Sequence, residues 1–116
     1  MHAHSRLVTV VETNAFMAAA KGRMAPEEVD RLIDLLAREP ESGVVLRETG
    51  GVRKLRFAVQ GAGKSGGVRV VYYFCNELMP VFLLTVFAKN EKENLSKAER
   101  NALAAGAQRL RDSYGV

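Results

Sequence analysis

Hydrophobic and polar positions change period several times along the chain, and each period predicts an element. RLVTVVE, residues 6–12, holds an apolar run too short for a helix and predicts a first strand. Thr13 or Asn14 then caps a short helix over residues 15–20, which Gly22 ends by taking a left-handed conformation. Pro26 suits the first position of a second helix, where its missing N–H is not needed, and Glu27 and Glu28 follow at the positive end of the helix dipole. Val29, Leu32, Ile33 and Leu36 recur at helical spacing before Pro40 stops the run, and that stripe reads as core. The two helices make a hairpin.

Residues 41–51, rich in Glu and Gly, read as a loop. VRKLRFAV, residues 52–59, then alternates: Leu55, Phe57 and Val59 point one way, Lys54, Arg56 and Ala58 the other. GVRVVYYF (67–74) and PVFLLTVFAK (80–89) are two further strands, and the short CNELM link between them makes them antiparallel neighbours. The last strand is apolar on both sides, with Val81, Leu83 and Phe87 against Phe82, Leu84 and Val86, so it is covered on each side. Ser96 and Glu99 form a capping box for a final helix with Leu103, Ala107, Leu110 and Tyr114 on one stripe; Gly106 costs it about 1 kcal/mol relative to Ala. The order β-α-α-β-β-β-α predicts an α+β two-layer domain, a mainly antiparallel four-stranded sheet flanked by helices.

The glycine-rich stretch AVQGAGKSGG (58–67) fits a loose nucleotide-binding P-loop pattern, but such a loop must run into a helix N-terminus, and here a strand follows. Length and composition suit one domain over residues 1–116, with 47% hydrophobic and 26% charged residues and no repeats or linkers. Cys75 is the only cysteine, which excludes an internal disulfide and speaks against a cysteine metal site; His2 and His4 read as solvated terminal residues. LVTVV is too short for a signal core or a membrane span, so the expectation is a cytoplasmic protein with no membrane partner, no metal and no cofactor.

The net charge of +4 shifts the choice of partner towards polyanions, and the alternation sharpens it. If Leu55, Phe57, Val68, Val70, Tyr72 and Phe74 face the helical hairpin, Lys54, Arg56 and Arg69 converge on the other face, with Lys54 and Arg56 about 7 Å apart. Lys64 stands in the loop between their strands, and Lys89 and Lys92 follow the last strand. Clustered cations repel, so they suit a nucleic-acid backbone; the plainer reading is a solvated strand face. A hydrolase built on His, Cys or paired carboxylates is disfavoured, because no His lies in the interior, Cys75 has no His near it in sequence, and Glu39, Glu41, Glu48, Glu77, Glu91 and Glu93 fall in loops.

GGVRKLRFA, GKSGGVRVVYYF and LLTVFAKNEKENLS, in that order and spacing, resemble the HigB and RelE group of bacterial toxins from type II toxin–antitoxin pairs, within the RelE/ParE superfamily. The resemblance covers roughly residues 6–112 and implies the RelE-like α+β fold. It also implies a metal-independent mRNA interferase, an endoribonuclease that enters the A site of the small ribosomal subunit and cuts translated mRNA by attack of the ribose 2′-hydroxyl. By position, Lys54 would be the base, Arg56 would lie on the scissile phosphate and Arg69 would stabilise the transition state. Lys89 would bind phosphate or protonate the leaving 5′-oxygen, while Arg53, Lys64 and Lys92 would contact RNA. The chemistry is reasonable, since a lysine crowded by cations gives up its proton more readily and arginines stay charged against a dianionic phosphorane.

The chain departs from RelE at Asn90, where RelE has an arginine, and at Leu95 and Ser96, near a family tyrosine, which leaves proton delivery and base stacking unassigned. The implied partner is a helix-turn-helix antitoxin of HigA type. Two other readings of the same fold stand beside this one: a ParE-like DNA gyrase poison without nuclease activity, and a basic RNA-binding module that has lost activity.

Overall fold

The computed structural model describes residues 6–60 and 67–116. Its elements run β1 (Val10–Glu12), α1 (Asn14–Ala20), α2 (Pro26–Arg38), β2 (Val44–Val45), β3 (Val52–Phe57), β4 (Val68–Tyr73), β5 (Val81–Ala88) and α3 (Lys97–Tyr114). The strands form one sheet in the order β1-β5-β4-β3-β2, in which β1 runs parallel to β5 and every other pair is antiparallel. The α+β class and the order of the expected elements stand. The sheet has five strands rather than four, because Val44 and Val45, inside the segment read as a loop, pair with Lys54 and Arg53. Two exposed valines give no alternation to read, so nothing in the pattern marked them.

Caps fix the helices much as the sequence predicts. Thr13 Oγ1 accepts the Phe16 amide at 3.1 Å and donates to the Leu83 carbonyl at 2.7 Å, so one hydroxyl both starts α1 and pins it to β5. Glu28 closes the first turn of α2 on the Ala25 amide at 2.8 Å, and Ser96 with Glu99 makes the reciprocal capping box of α3. Gly22 takes the left-handed conformation, with φ of 77°.

Two cores lie on opposite faces of the sheet. The α1–α2 hairpin packs Phe16, Leu32 and Leu36 on Val68, Val70, Tyr72, Phe74, Val81, Leu83 and Val86. On the other face Leu95, Leu103, Ala107 and Leu110 of α3 and its approach pack on Val52, Val71, Tyr73, Phe82 and Phe87. Helices therefore cover both faces, a third layer beyond the two expected, because the apolar stripe of α3 also needs a partner. The alternation along β5 needs correction: Val86, not Phe87, joins Val81 and Leu83 on the hairpin side. A register shift is the cause, since Val71 pairs with Thr85 while Tyr72 pairs with Leu83, leaving Leu84 as an extra residue that reverses the faces beyond it. No helix among the described residues is long and apolar enough to cross a membrane.

Candidate nucleic-acid interface

The β3–β4 register decides where the basic side chains go. Arg56 lies directly opposite Arg69, and Lys54 opposite Val71, two positions along β4 from Arg69. Directly opposed residues share a face, so Lys54, Arg56 and Arg69 point to one side, the α3 side, at the end of the sheet where β3 stops and β5 runs out. Arg69 is in turn paired with Phe87 of β5, whose ring carries the Lys92 ammonium 5.0 Å from its centroid. A row Arg56–Arg69–Phe87 thus crosses three strands at about 4.8 Å per step.

These cations differ in surroundings. Arg56 is exposed and Lys54 half-buried; among the described residues neither has a carboxylate partner. Arg69 is only 8% exposed, and its Nη1 lies 3.4 Å from the carbonyl oxygen of Val68. Lys89 is exposed one residue beyond β5, its amide donating to the Gly67 carbonyl at 3.4 Å. Lys92 is already engaged, with its Nζ 2.5 Å from Glu99 Oε2, a contact that holds the Glu99 carboxyl below the usual carboxylate range.

Arg53 goes elsewhere. One residue before Lys54, it faces the hairpin side opposite Tyr72, where its Nη1 donates to the carbonyls of Gly43 at 2.7 Å and Glu41 at 3.2 Å. Lys64 lies outside the described residues. Tyr73 is 1% exposed in the α3-side core and its hydroxyl accepts from Arg111 Nη1 at 2.8 Å, so its ring is not open to stack on a base; Tyr114 packs edge-on to Phe82.

A model of the RelE toxin family, described as the RelE toxin of the RelE/RelB toxin–antitoxin system, matches residues 10–114. The chain belongs to the RelE toxin family. Its fold is similar to that of a free-state mutant of the E. coli toxin RelE in which two arginines are replaced by alanine, with a TM-score of 0.56 over 86% of this chain and 96% of that one. At 16% identity that likeness concerns the fold alone. This RelE-family chain also carries site features that the sequence reading missed. Arg23, in the turn between α1 and α2, grips Glu91 beyond β5 through two hydrogen bonds of 2.7 and 2.6 Å. Glu91 stood within the KNEKEN run, but nothing in the sequence tied it to a residue 68 positions away.

Proposed function

We propose that this single-domain toxin, acting in the cytoplasm, inhibits translation as a ribosome-dependent mRNA endoribonuclease, through the basic face at the end of β3, β4 and β5. One observation carries the reading. Two arginines stand side by side on adjacent strands, with a lysine on the same face, and among the described residues Lys54 and Arg56 have no carboxylate to neutralise them. Opposed like charges cost stability, so an arrangement of this kind favours an anion that brings its own phosphates.

In the reaction, Lys54 takes the proton of a ribose 2′-hydroxyl as its oxygen attacks the adjacent phosphorus. The P–O5′ bond breaks, leaving a 2′,3′-cyclic phosphate, and Lys89 returns a proton to the departing 5′-oxygen. Arg56 holds the scissile phosphate and Arg69 the charge that develops on the phosphorane. No metal or cofactor takes part. Lys64 and Lys92 contact the RNA or ribosomal backbone; Arg53, occupied on the other face, is left out. Between cleavage events the same cations suit the acidic segment of a helix-turn-helix antitoxin of HigA type.

The test is induction of the toxin in cells followed by mapping of mRNA 5′ ends. Cuts inside translated frames, abolished by Lys54→Ala and Arg69→Ala, are the expected result. Intact mRNA together with gyrase trapped on DNA would replace this reading with that of a gyrase poison.

A further inference from the structure

Lys89 leaves β5 into residues 89–96, a stretch without helix or strand. A proton donor must come within about 2.6–3.2 Å of the oxygen it serves, so such a segment has to be held. Glu91 is built to hold it. Its Oε1 accepts the Ala88 amide at 2.7 Å, and its own amide donates to the Ala88 carbonyl at 3.0 Å, closing the turn on both sides of Lys89. The carboxylate is gripped in turn by Arg23, with Nε on Oε1 at 2.7 Å and Nη2 on Oε2 at 2.6 Å. The remaining guanidinium nitrogen, Nη1, donates to the Ala19 carbonyl at 2.7 Å, at the end of α1 where helical carbonyls lack an internal partner.

Contacts therefore run without a break from α1 through Arg23 and Glu91 to the backbone that carries Lys89. A lysine in place of Arg23 has no fork with which to meet both carboxylate oxygens and Ala19 at once. The pair's side chains are 32% and 41% exposed, and ion pairs that open to water add little to global stability. Its leverage falls instead on where Lys89 sits. Lys92, the other lysine of the turn, is already held by Glu99 and Phe87, so the clamp bears on Lys89 above all.

We propose that Arg23 and Glu91 are positioning residues that hold the Lys89 turn in register for RNA cleavage. The proposal rests on the endoribonuclease reading. Two measurements test it on the full chain. In single-turnover cleavage of mRNA on programmed ribosomes, Arg23→Ala lowers the rate about 10- to 100-fold with half-saturation within about twofold, and Arg23→Lys recovers only part of it. The charge swap Arg23→Glu with Glu91→Arg leaves the rate low, because an arginine at 91 offers the Ala88 amide no acceptor and a glutamate at 23 offers the Ala19 carbonyl no donor. In hydrogen exchange, Arg23→Ala speeds exchange of the Ala88 and Glu91 amides while those of β4 stay as protected as in the parent.

A cleavage rate unchanged in Arg23→Ala, or reduced only in proportion to lost thermal stability, overturns the proposal. Should the parent itself fail to cleave, the endoribonuclease reading falls and this role in cleavage falls with it. The exchange measurement then decides separately whether the clamp exists, and unchanged Ala88 exchange in Arg23→Ala removes it.

Discussion

Arg53 and Lys54 are neighbours on β3, yet among the described residues only the Arg53 side chain is tied down. On the hairpin side Arg53 lies with only 17% of its side chain exposed, bonded to the Gly43 and Glu41 carbonyls, beside Tyr72, whose hydroxyl donates to Pro40 at 2.8 Å and accepts from Gly43 at 2.7 Å. That face uses its polar groups to fasten the segment after α2. On the α3 side Lys54 and Arg56 have no such bonds among the described residues. Strand alternation lets a single β-ribbon anchor a loop with one residue and present the next on the opposite face. Hydrogen bonding tells the two side chains apart where residue type and burial do not.

The sharpest way to break this contrast is Lys54→Ala. Cleavage on the ribosome should fall by roughly 10²- to 10⁴-fold, the range for losing a general acid–base group, while the urea midpoint stays near that of the parent. An equal loss of stability would place Lys54 among the structural cations instead. The opposite pattern is expected across the strand. Tyr72→Phe leaves the Gly43 amide and the Pro40 carbonyl without their partner in a buried site and should cost about 1–3 kcal/mol in urea unfolding, with cleavage per folded molecule unchanged. Arg53→Met, which keeps the stem and removes the bonds to Gly43 and Glu41, should cost about 1–2 kcal/mol with the same indifference in cleavage.

Alkali provides a gentler probe of the anchored face. Burial pushes the Tyr72 phenol above its ordinary value, so the folded state keeps a proton that the unfolded state releases from about pH 10 upward. The stability this represents is fully present below that pH and is lost as pH rises towards the folded value, at up to about 1.4 kcal/mol per pH unit. Urea unfolding at pH 8, 10 and 11 should show the decline, with a shallower slope in Tyr72→Phe. The smallest effect is expected at Arg38, whose partner Asp34 lies one helical turn away on an exposed face; Arg38→Ala should shift stability by no more than about 0.5 kcal/mol.

Much of this was legible in the sequence wherever a local rule decided the outcome. Thr13, Pro26, Ser96 and Glu99 marked helix starts because capping needs only a few neighbouring residues. The alternation of Leu55 and Phe57 against Lys54 and Arg56 gave the faces of β3, because one side had to be oily. What escaped depended on contacts distant in sequence. Val44 and Val45 became a strand only by meeting β3, β1 turned out parallel to β5 through a partner some seventy residues on, and Arg23 met Glu91 across the fold. The charge of Arg53 is visible in a sequence, whereas the Gly43 carbonyl that holds it on the hairpin side is not.

Leu84 sets the phase of everything downstream in β5. With it bulged out, Phe87 emerges beside Arg69; were Leu84 instead paired in unbroken alternation, the strand would turn inside out from there on, swinging Phe87 under the hairpin and carrying the lysine two places later to the opposite side of the sheet. A single bulged leucine thereby governs which surface receives the Lys89 side chain.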